Sequence, residues 1–126
     1  MILLNGIDLV DNSKIKKMVE KHPLNLQDIF TEHEIAYCIS KPFPYQSFGS
    51  RFAAKEAVIK AVDADIWDFD LKDIEVIKTD SGKPEILIGS EALNNRIFVL
   101  LQKNNYSIAL SLSHEKGYSI AQVIIY

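Results

Sequence analysis

The sequence of 126 residues lacks the features that mark several large classes of protein. It has one cysteine, Cys38, which excludes an intrachain disulfide, a zinc cluster of several thiolates and a CxxC redox pair. No apolar run approaches the roughly 20 residues that cross a bilayer, and residues 1–10 have neither the length nor the basic start of a secretory signal. We therefore expect a soluble, cytoplasmic protein with no membrane association.

An excess of positive charge is missing as well. The chain has 14 lysines and arginines against 17 aspartates and glutamates, for a formal net charge of −3. A protein that binds nucleic acid neutralises phosphates with clustered basic residues, so we expect no nucleic-acid partner. The average conceals a basic segment, whose lysines are Lys14, Lys16, Lys17 and Lys21. This segment is either a solvated helix face or a docking surface for an acidic protein.

The common catalytic signatures are absent too. The sequence contains no GxxxxGKS/T, GxGxxG, GxSxG or HExxH, so nothing supports a P-loop, Rossmann, serine-hydrolase or zincin site. The aspartates of residues 63–73 resemble a calcium loop in number, but they lack the glycine and the glutamate that an EF-hand loop requires. We expect these aspartates to cap helices and to keep the surface soluble.

The chain is predicted to form a single domain of residues 1–126, because it contains no repeat, linker or low-complexity stretch. Periodicity and turn residues predict the element order β-α-α-α-β-β-α-β-β, which is typical of an α+β fold. Its antiparallel sheet is expected to pack against a long central helix and shorter helices. The predicted strands cover residues 2–10, 73–79, 85–88, 106–113 and 118–126, and the central helix covers residues 47–62.

Capping residues predict where two of the shorter helices begin. Asn12 or Ser13 is expected to cap the first helix. Thr31 and Glu34 have the spacing of a capping box and are expected to open the second. The prolines that follow, at positions 42 and 44, are expected to end that second helix.

Four polar side chains stand in apolar surroundings and are candidates for chemistry. Asp8 interrupts a strand, where an unpartnered carboxylate is costly. Glu56 and Lys60 lie four residues apart on the central helix, so they form either a solvated ion pair or part of a site. If Asp8 and Glu56 meet in the fold, two carboxylates near a lysine would suit Mg²⁺ that bridges to a phosphate-bearing ligand. His114 ends a strand, on the face opposite to the two preceding serines, and is either a structural or exposed residue or a catalytic one.

Four motifs occur in a fixed order along the chain. They read GIDLV at residues 6–10, RFAAKEA at 51–57 followed by KA at 60–61, GKP at 82–84 and SLSH at 111–114. Together they resemble holo-acyl-carrier-protein synthase, a family of 4′-phosphopantetheinyl transferases. The FTEHEIAYC of residues 30–38 resembles the second helix of that family, so the resemblance covers nearly the whole chain.

The resemblance implies a reaction and a set of roles. Enzymes of this family move 4′-phosphopantetheine from coenzyme A to a serine hydroxyl of an apo acyl carrier protein and release adenosine 3′,5′-bisphosphate. By position, Asp8 and Glu56 would hold Mg²⁺ at the pyrophosphate, and Lys60 would bind the phosphates. Either Glu56 or a water at the metal would take the serine proton. The residues that would contact the nucleotide are Arg51, Lys83, Pro84 and His114.

The resemblance also implies partners. Members of the family are typically homotrimers whose sites lie between neighbouring subunits. The basic helix corresponds to the surface that meets the acidic helix of the carrier protein, and its docking residues would be Lys14, Lys17 and Lys21. The carrier would belong either to fatty acid biosynthesis or to a secondary pathway.

Two departures from the family pattern leave alternatives open. The family often has a Gly-Thr-Gly segment after its KEAxxKA helix, whereas residues 62–67 read VDADIW. The basic helix has lysines where arginines are common, so bidentate pairing with carboxylates is lost. The alternatives are a non-catalytic homologue that binds carrier proteins and a transferase dedicated to one carrier protein of secondary metabolism.

Overall fold

The computed structural model describes every residue from Met1 to Tyr126 and confirms the α+β class. Its strands are β1 Leu4–Asp11, β2 Ile74–Lys78, β3 Pro84–Ile88, β4 Ile108–Glu115 and β5 Tyr118–Ile125. Its helices are α1 Asn12–Lys21, α2 Leu26–Ile29, α3 Glu32–Ile39, α4 Pro44–Ala61 and α5 Glu91–Leu101, with 3-10 turns at Pro23–Asn25 and Leu71–Asp73. The α-helix that the sequence did not predict is the single turn α2. No helix combines the length and the apolar composition that crossing a bilayer requires.

The strands form two antiparallel sheets. The larger has the order β1-β5-β4, and the smaller is the hairpin of β2 and β3. Both the hairpin of β2 with β3 and the pairing of β4 with β5 join strands that follow one another in the chain. Only β5 lies in the centre of the larger sheet, because β4 pairs with one of its edges and β1 with the other. This central position explains why the sequence of β5 is almost entirely apolar.

The helix starts follow local hydrogen bonding. The capping box is confirmed, since Thr31 Oγ1 accepts a bond from the Glu34 N–H and Glu34 Oε1 accepts one from the Thr31 N–H. The prediction for α1 was wrong, because the cap is Asp11, whose side chain accepts from the Ser13 N–H at 2.9 Å. The prediction for Pro44 was also wrong. It opens α4, where a residue without an N–H loses no helical bond.

The long helix α4 crosses one face of the larger sheet and contacts β1 and β5. The contact is close because the helix presents small residues, and Ala53, Ala54 and Ala57 are fully buried. A Cβ atom at Gly6 of β1 would lie only 1.8 Å from the backbone oxygen of Ala57. Gly6 is therefore required where the strand and the helix cross, which explains a glycine inside a strand.

A buried ion pair fixes the other side of α4. Lys55 Nζ donates to Glu34 Oε1 at 2.8 Å and to the backbone oxygens of Leu71 and Ile74 at 2.8 and 2.6 Å. Glu34 Oε2 accepts from the Val76 N–H at 3.0 Å, and neither charged side chain has any exposed surface. Because all these polar groups are partnered, the pair ties α3 and α4 to β2.

Candidate active site

Asp8 and Lys60 meet where β1 crosses the C-terminal half of α4. Asp8 lies on the same side of β1 as Gly6, facing the helix, and its side chain is 13% exposed. Lys60 Nζ donates to Asp8 Oδ1 at 2.8 Å and to the backbone oxygen of Ile7 at 3.2 Å. The Lys60 side chain is 53% exposed, so its ammonium reaches both solvent and the carboxylate. The carboxylate inside the strand therefore has a partner.

Glu56 lies one helical turn before Lys60 and completes the cluster. Burial raises the pKa of Glu56 and the negative charge of Asp8 raises it further, while Lys60 opposes both effects. The two carboxylates are thus close enough to repel one another. The simpler alternative, an ion pair of Glu56 with Lys60, is wrong because the ion-pair partner of Lys60 is Asp8.

The oxygen donors of this cluster fit a divalent cation that binds together with a phosphate ligand. Asp8 and Glu56 supply carboxylate oxygens, which Mg²⁺ prefers, and a cation between them would relieve their repulsion. No group of three Asp, Glu, His or Cys side chains in the structure could hold a metal. Mg²⁺ commonly uses one or two carboxylates and fills its other positions with phosphate oxygens and water.

His114 shares the face of the sheet on which Asp8 lies. In the strand register His114 is paired with Ser119 of β5, which is paired with Val10 of β1. Directly paired residues of antiparallel strands point to one face, so His114 points to the same side as Val10 and Asp8. Strand spacing puts the Cα atoms of His114 and Asp8 roughly 12 Å apart. His114 is thus exposed on the edge strand, within reach of an extended ligand but not in contact with the carboxylates.

Arg51 lies on the opposite face of α4 from Lys60. Nine residues separate the two, which turns an α-helix by about half a revolution and advances it by about 13 Å. The Arg51 guanidinium stacks on the Tyr37 ring at 4.0 Å from the ring centroid. Arg51 is 93% buried, and its Nε has no hydrogen-bond partner. The structure therefore does not bring Arg51 to the Asp8 cluster within one chain.

Three residues around Arg51 were missed by sequence reasoning. Lys41 and Lys78 stand at 4.6 and 5.9 Å from the centroid of the Tyr37 ring. Burial alone would raise the pKa of Tyr37, but the adjacent Arg51 guanidinium and the charges of the two lysines lower it. None of these cations forms an ion pair with a carboxylate. They form a cationic cluster around Tyr37, and no motif marks it because its members come from three separate segments of the chain.

The hairpin turn with Lys83 and Pro84 borders this cationic cluster. Pro84 is paired with Lys78 in the register of β2 and β3, so the turn lies at the same end of the hairpin as Lys78. Lys83 is exposed, and Gly82 adopts the left-handed conformation that this turn requires. The residues predicted to contact a nucleotide thus fall into two places, with Arg51, Lys83 and Pro84 in one and His114 in the other.

The basic helix α1 presents its predicted docking residues to solvent. Lys14, Lys17 and Lys21 are exposed and have the three- and four-residue spacing of one helical stripe. Met18, on the same helix, borders a cavity of about 450 Å³. The apolar residues that line the cavity are Met18, Ile29, Phe52, Ile66, Trp67, Phe69 and Leu71.

The segment that departs from the family pattern keeps a backbone conformation that favours glycine. After α4, Asp63 adopts a left-handed conformation with φ of 57°. The Arg96 side chain of α5 donates to the backbone oxygens of Val62 and Asp63 at 3.0 and 3.2 Å. The segment is therefore held in this conformation without a glycine, through a cation at the end of the helix.

The fold and the cluster together define a class of protein, namely a small α+β protein in which two carboxylates and a lysine face a ligand-accessible surface. The family model of the 4′-phosphopantetheinyl transferase superfamily matches residues 5–111. The chain therefore belongs to this superfamily, and its relatives place it among the holo-acyl-carrier-protein synthases, which are transferases.

These relatives match over nearly their full length. The holo-acyl-carrier-protein synthase of Clostridium kluyveri is 36% identical over 99% of this chain and 90% of its own. That of Clostridium botulinum strain Alaska E43 is 37% identical over 95% and 94%. The structure of the Helicobacter pylori synthase in complex with coenzyme A has a TM-score of 0.82 and 29% identity, covering 98% of this chain and 100% of that one. The Bacillus anthracis synthase in complex with CoA (3′,5′-ADP) has a TM-score of 0.76 and 31% identity, covering 97% and 94%.

Proposed function

We propose that this protein transfers 4′-phosphopantetheine from coenzyme A to a serine hydroxyl of an apo acyl carrier protein, in a reaction that depends on Mg²⁺ and releases adenosine 3′,5′-bisphosphate. The observation that carries the proposal is the meeting of Asp8, Glu56 and Lys60 at the crossing of β1 and α4. Relatives named for this activity, and relatives solved with coenzyme A, support the choice of substrates.

The three side chains have separate tasks in this proposal. Asp8 and Glu56 would hold Mg²⁺, which would neutralise charge that develops on the pyrophosphate. Lys60, whose side chain is 53% exposed, would bind the leaving phosphate through its ammonium. Either Glu56 or a water at the metal would take the proton of the attacking serine. The nucleophile belongs to the carrier protein, so this chain needs no nucleophile of its own.

The direct test uses purified protein, apo acyl carrier protein, coenzyme A and Mg²⁺, with mass spectrometry of the carrier. We expect the carrier to gain the mass of the phosphopantetheine arm. Asp8→Asn and Glu56→Gln keep the side-chain shapes and should each lower the rate by more than about 100-fold. Glu20→Gln makes the same chemical change on the exposed face of α1 and is the matched control. No mass gain with several carriers would contradict the proposal.

The nucleotide subsite is proposed to come from a neighbouring copy in a homotrimer. Arg51 and the cationic cluster lie behind α4 from Lys60, and Arg51 Nε lacks a partner within the chain. On the sheet face away from α4, Ile7 and Leu9 are 51% and 62% exposed, which suits a contact between copies. His114, on the face of Asp8, would contact the nucleotide from the chain that holds the carboxylates.

Mixed subunits test the shared site. Asp8→Asn and Arg51→Met should each be nearly inactive, and both should elute as trimers. When the two variants are co-expressed, about one quarter of the sites pair an intact Asp8 with an intact Arg51 from a neighbour, so activity should return. Lys78→Ala, an exposed member of the cationic cluster, replaces Arg51→Met if that variant does not fold. A mixture as inactive as its parents would exclude sharing.

Carrier docking is proposed for the basic face of α1. Lys14, Lys17 and Lys21 would attract the acidic surface of a carrier protein and set its register. Lys17→Glu should raise KM for the carrier at low salt and leave KM for coenzyme A unchanged. Lys103→Glu changes an exposed lysine after α5 and is the control. An unchanged carrier KM for Lys17→Glu would exclude this surface.

One observation favours a second function, that of a non-catalytic carrier-binding protein. Asp63, Asp65 and Asp68 are exposed in the loop after α4, where they would repel phosphates. Calorimetry separates the two functions, because the second predicts carrier binding without binding of coenzyme A in Mg²⁺.

A transferase dedicated to one carrier protein of a secondary pathway would catalyse the same reaction. It would differ from a transferase that serves the carrier protein of fatty acid biosynthesis only in its KM for the carrier protein. A cytoplasmic location, where coenzyme A and carrier proteins would be available, stays a prediction.

A further inference from the structure

Lys60 donates a hydrogen bond to Asp8 Oδ1, an oxygen that a metal ion would need as a ligand. Its ammonium lies 2.8 Å from Asp8 Oδ1 and 3.2 Å from the Ile7 backbone oxygen. Lys60 also lies one helical turn from Glu56 on α4. Lys60 is the single cation within ion-pair distance of either carboxylate. The cluster is therefore neutralised in part by an internal side chain.

The ammonium and a divalent cation compete for this place. Each is attracted by Asp8 and Glu56, and each repels the other, most strongly where little water screens the charges. Asp8 is only 13% exposed, so screening at its carboxylate is weak. The Lys60 stem is flexible and 53% exposed, so the ammonium can move toward solvent without a change in α4.

We propose that Lys60 is a built-in counter-ion, which a divalent metal displaces from Asp8 and which then serves as the donor to the phosphate of the ligand. This proposal rests on the proposed function. In the metal-free protein, Lys60 offsets part of the repulsion between the two carboxylates and so helps to preserve their arrangement. In the complex, the phosphate holds the displaced ammonium away from Asp8. Metal and phosphate ligand therefore strengthen each other's binding, and each does so by the same factor.

Metal titration of the Lys60→Met variant tests the proposal. Mn²⁺ binding is followed by electron paramagnetic resonance, with and without coenzyme A, for the wild-type protein, Lys60→Met and Lys16→Met. Without coenzyme A, Lys60→Met should bind Mn²⁺ about fivefold more tightly than wild type, the factor expected for loss of a competing, half-exposed ion pair. Lys16→Met removes an exposed lysine that pairs with Glu20 and should leave Mn²⁺ affinity unchanged.

A second measurement separates displacement from simple repulsion at a distance. The Lys60 ammonium should give a nitrogen-detected NMR signal, because it is hydrogen bonded, and Lys60→Met identifies that signal by its loss. Saturating Mg²⁺ should shift or remove it in the wild-type protein. An unchanged signal, or a Lys60→Met variant that binds Mn²⁺ no more tightly than wild type, would overturn the proposal. A wild-type protein that binds no Mn²⁺ even with coenzyme A would overturn the metal assignment of the proposed function as well.

Discussion

Replacing Gly6 by alanine should separate β1 from α4 and disable the candidate site. The new Cβ atom would lie 1.8 Å from the Ala57 backbone oxygen, and real Cβ atoms stay at least 3.0 Å from such atoms. The strand must therefore move by more than about 1 Å relative to the helix, since neither partner is a flexible side chain. Asp8, two residues along the strand, moves with it. A shift of this size displaces the Asp8 carboxylate relative to Glu56 and Lys60, which stay on the helix.

The expected cost of Gly6→Ala is about 3 kcal/mol of folding free energy, at the upper end of overpacking effects. For a chain of this size that is a fall of roughly 10 °C in Tm. Circular dichroism melts give the stability, and the carrier mass assay gives the rate, which should fall by more than about 100-fold. Gly89→Ala is the matched control, because its Cβ would meet atoms only at 3.8 Å and beyond. A Gly6→Ala variant that melts within about 2 °C of wild type and remains active would refute the role of this crossing.

Three further predictions concern buried or strained charges. Lys55→Met leaves the Glu34 carboxylate buried without its cation and should cost about 3–5 kcal/mol in urea denaturation. The Lys55→Met, Glu34→Leu double variant should recover only part of this, because the backbone groups of Leu71, Ile74 and Val76 stay without partners, and a full recovery would contradict that role of the pair. The raised pKa of Glu56 means that metal-free stability falls as pH rises from the ordinary glutamate range through the raised value. Glu56→Gln should accordingly be more stable than wild type at pH 8 and not at pH 4, and an equal difference at both would contradict the shift. Asp63→Gly should relieve the left-handed conformation and stabilise the protein by roughly 1 kcal/mol, which a thermal melt measures and an unchanged or lower Tm would refute.

The sequence predicted the elements well because their signals are local. Thr31 and Glu34 are three residues apart, and the capping box depends on nothing beyond that turn. The α1 cap was wrong for a tertiary reason, since Asn12 is used in the core, where its side-chain oxygen accepts from the Ser119 hydroxyl. Asp11 then takes over the cap. Asn12 could have capped the helix, but its side chain is bonded to a residue far away in the chain, and sequence spacing alone does not reveal such a contact.

The site was predicted only where its signals are local. An aspartate inside a strand indicated that Asp8 needs a partner, and the structure supplies Lys60. The four-residue spacing of Glu56 and Lys60 pointed to a pair on one helix, but Lys60 instead pairs with Asp8 of the strand. Tyr37 carried no signal at all, since its three cations come together only when α3, α4 and the hairpin pack.

The central helix explains why so short a chain divides its candidate residues between two places. Arg51 and Lys60 stand on one helix, half a revolution and about 13 Å apart, with α4 itself between them. On the face of α4 that carries Lys60, Gly6 and the buried alanines pack the helix directly against the sheet. On the face that carries Arg51, the bond of the buried Lys55 to Glu34 holds the helix in place. Neither face can rotate toward the other without breaking this packing. We therefore expect a ligand that needs both sets of cations to lie between two copies of the chain, one that offers Lys60 and another that offers Arg51.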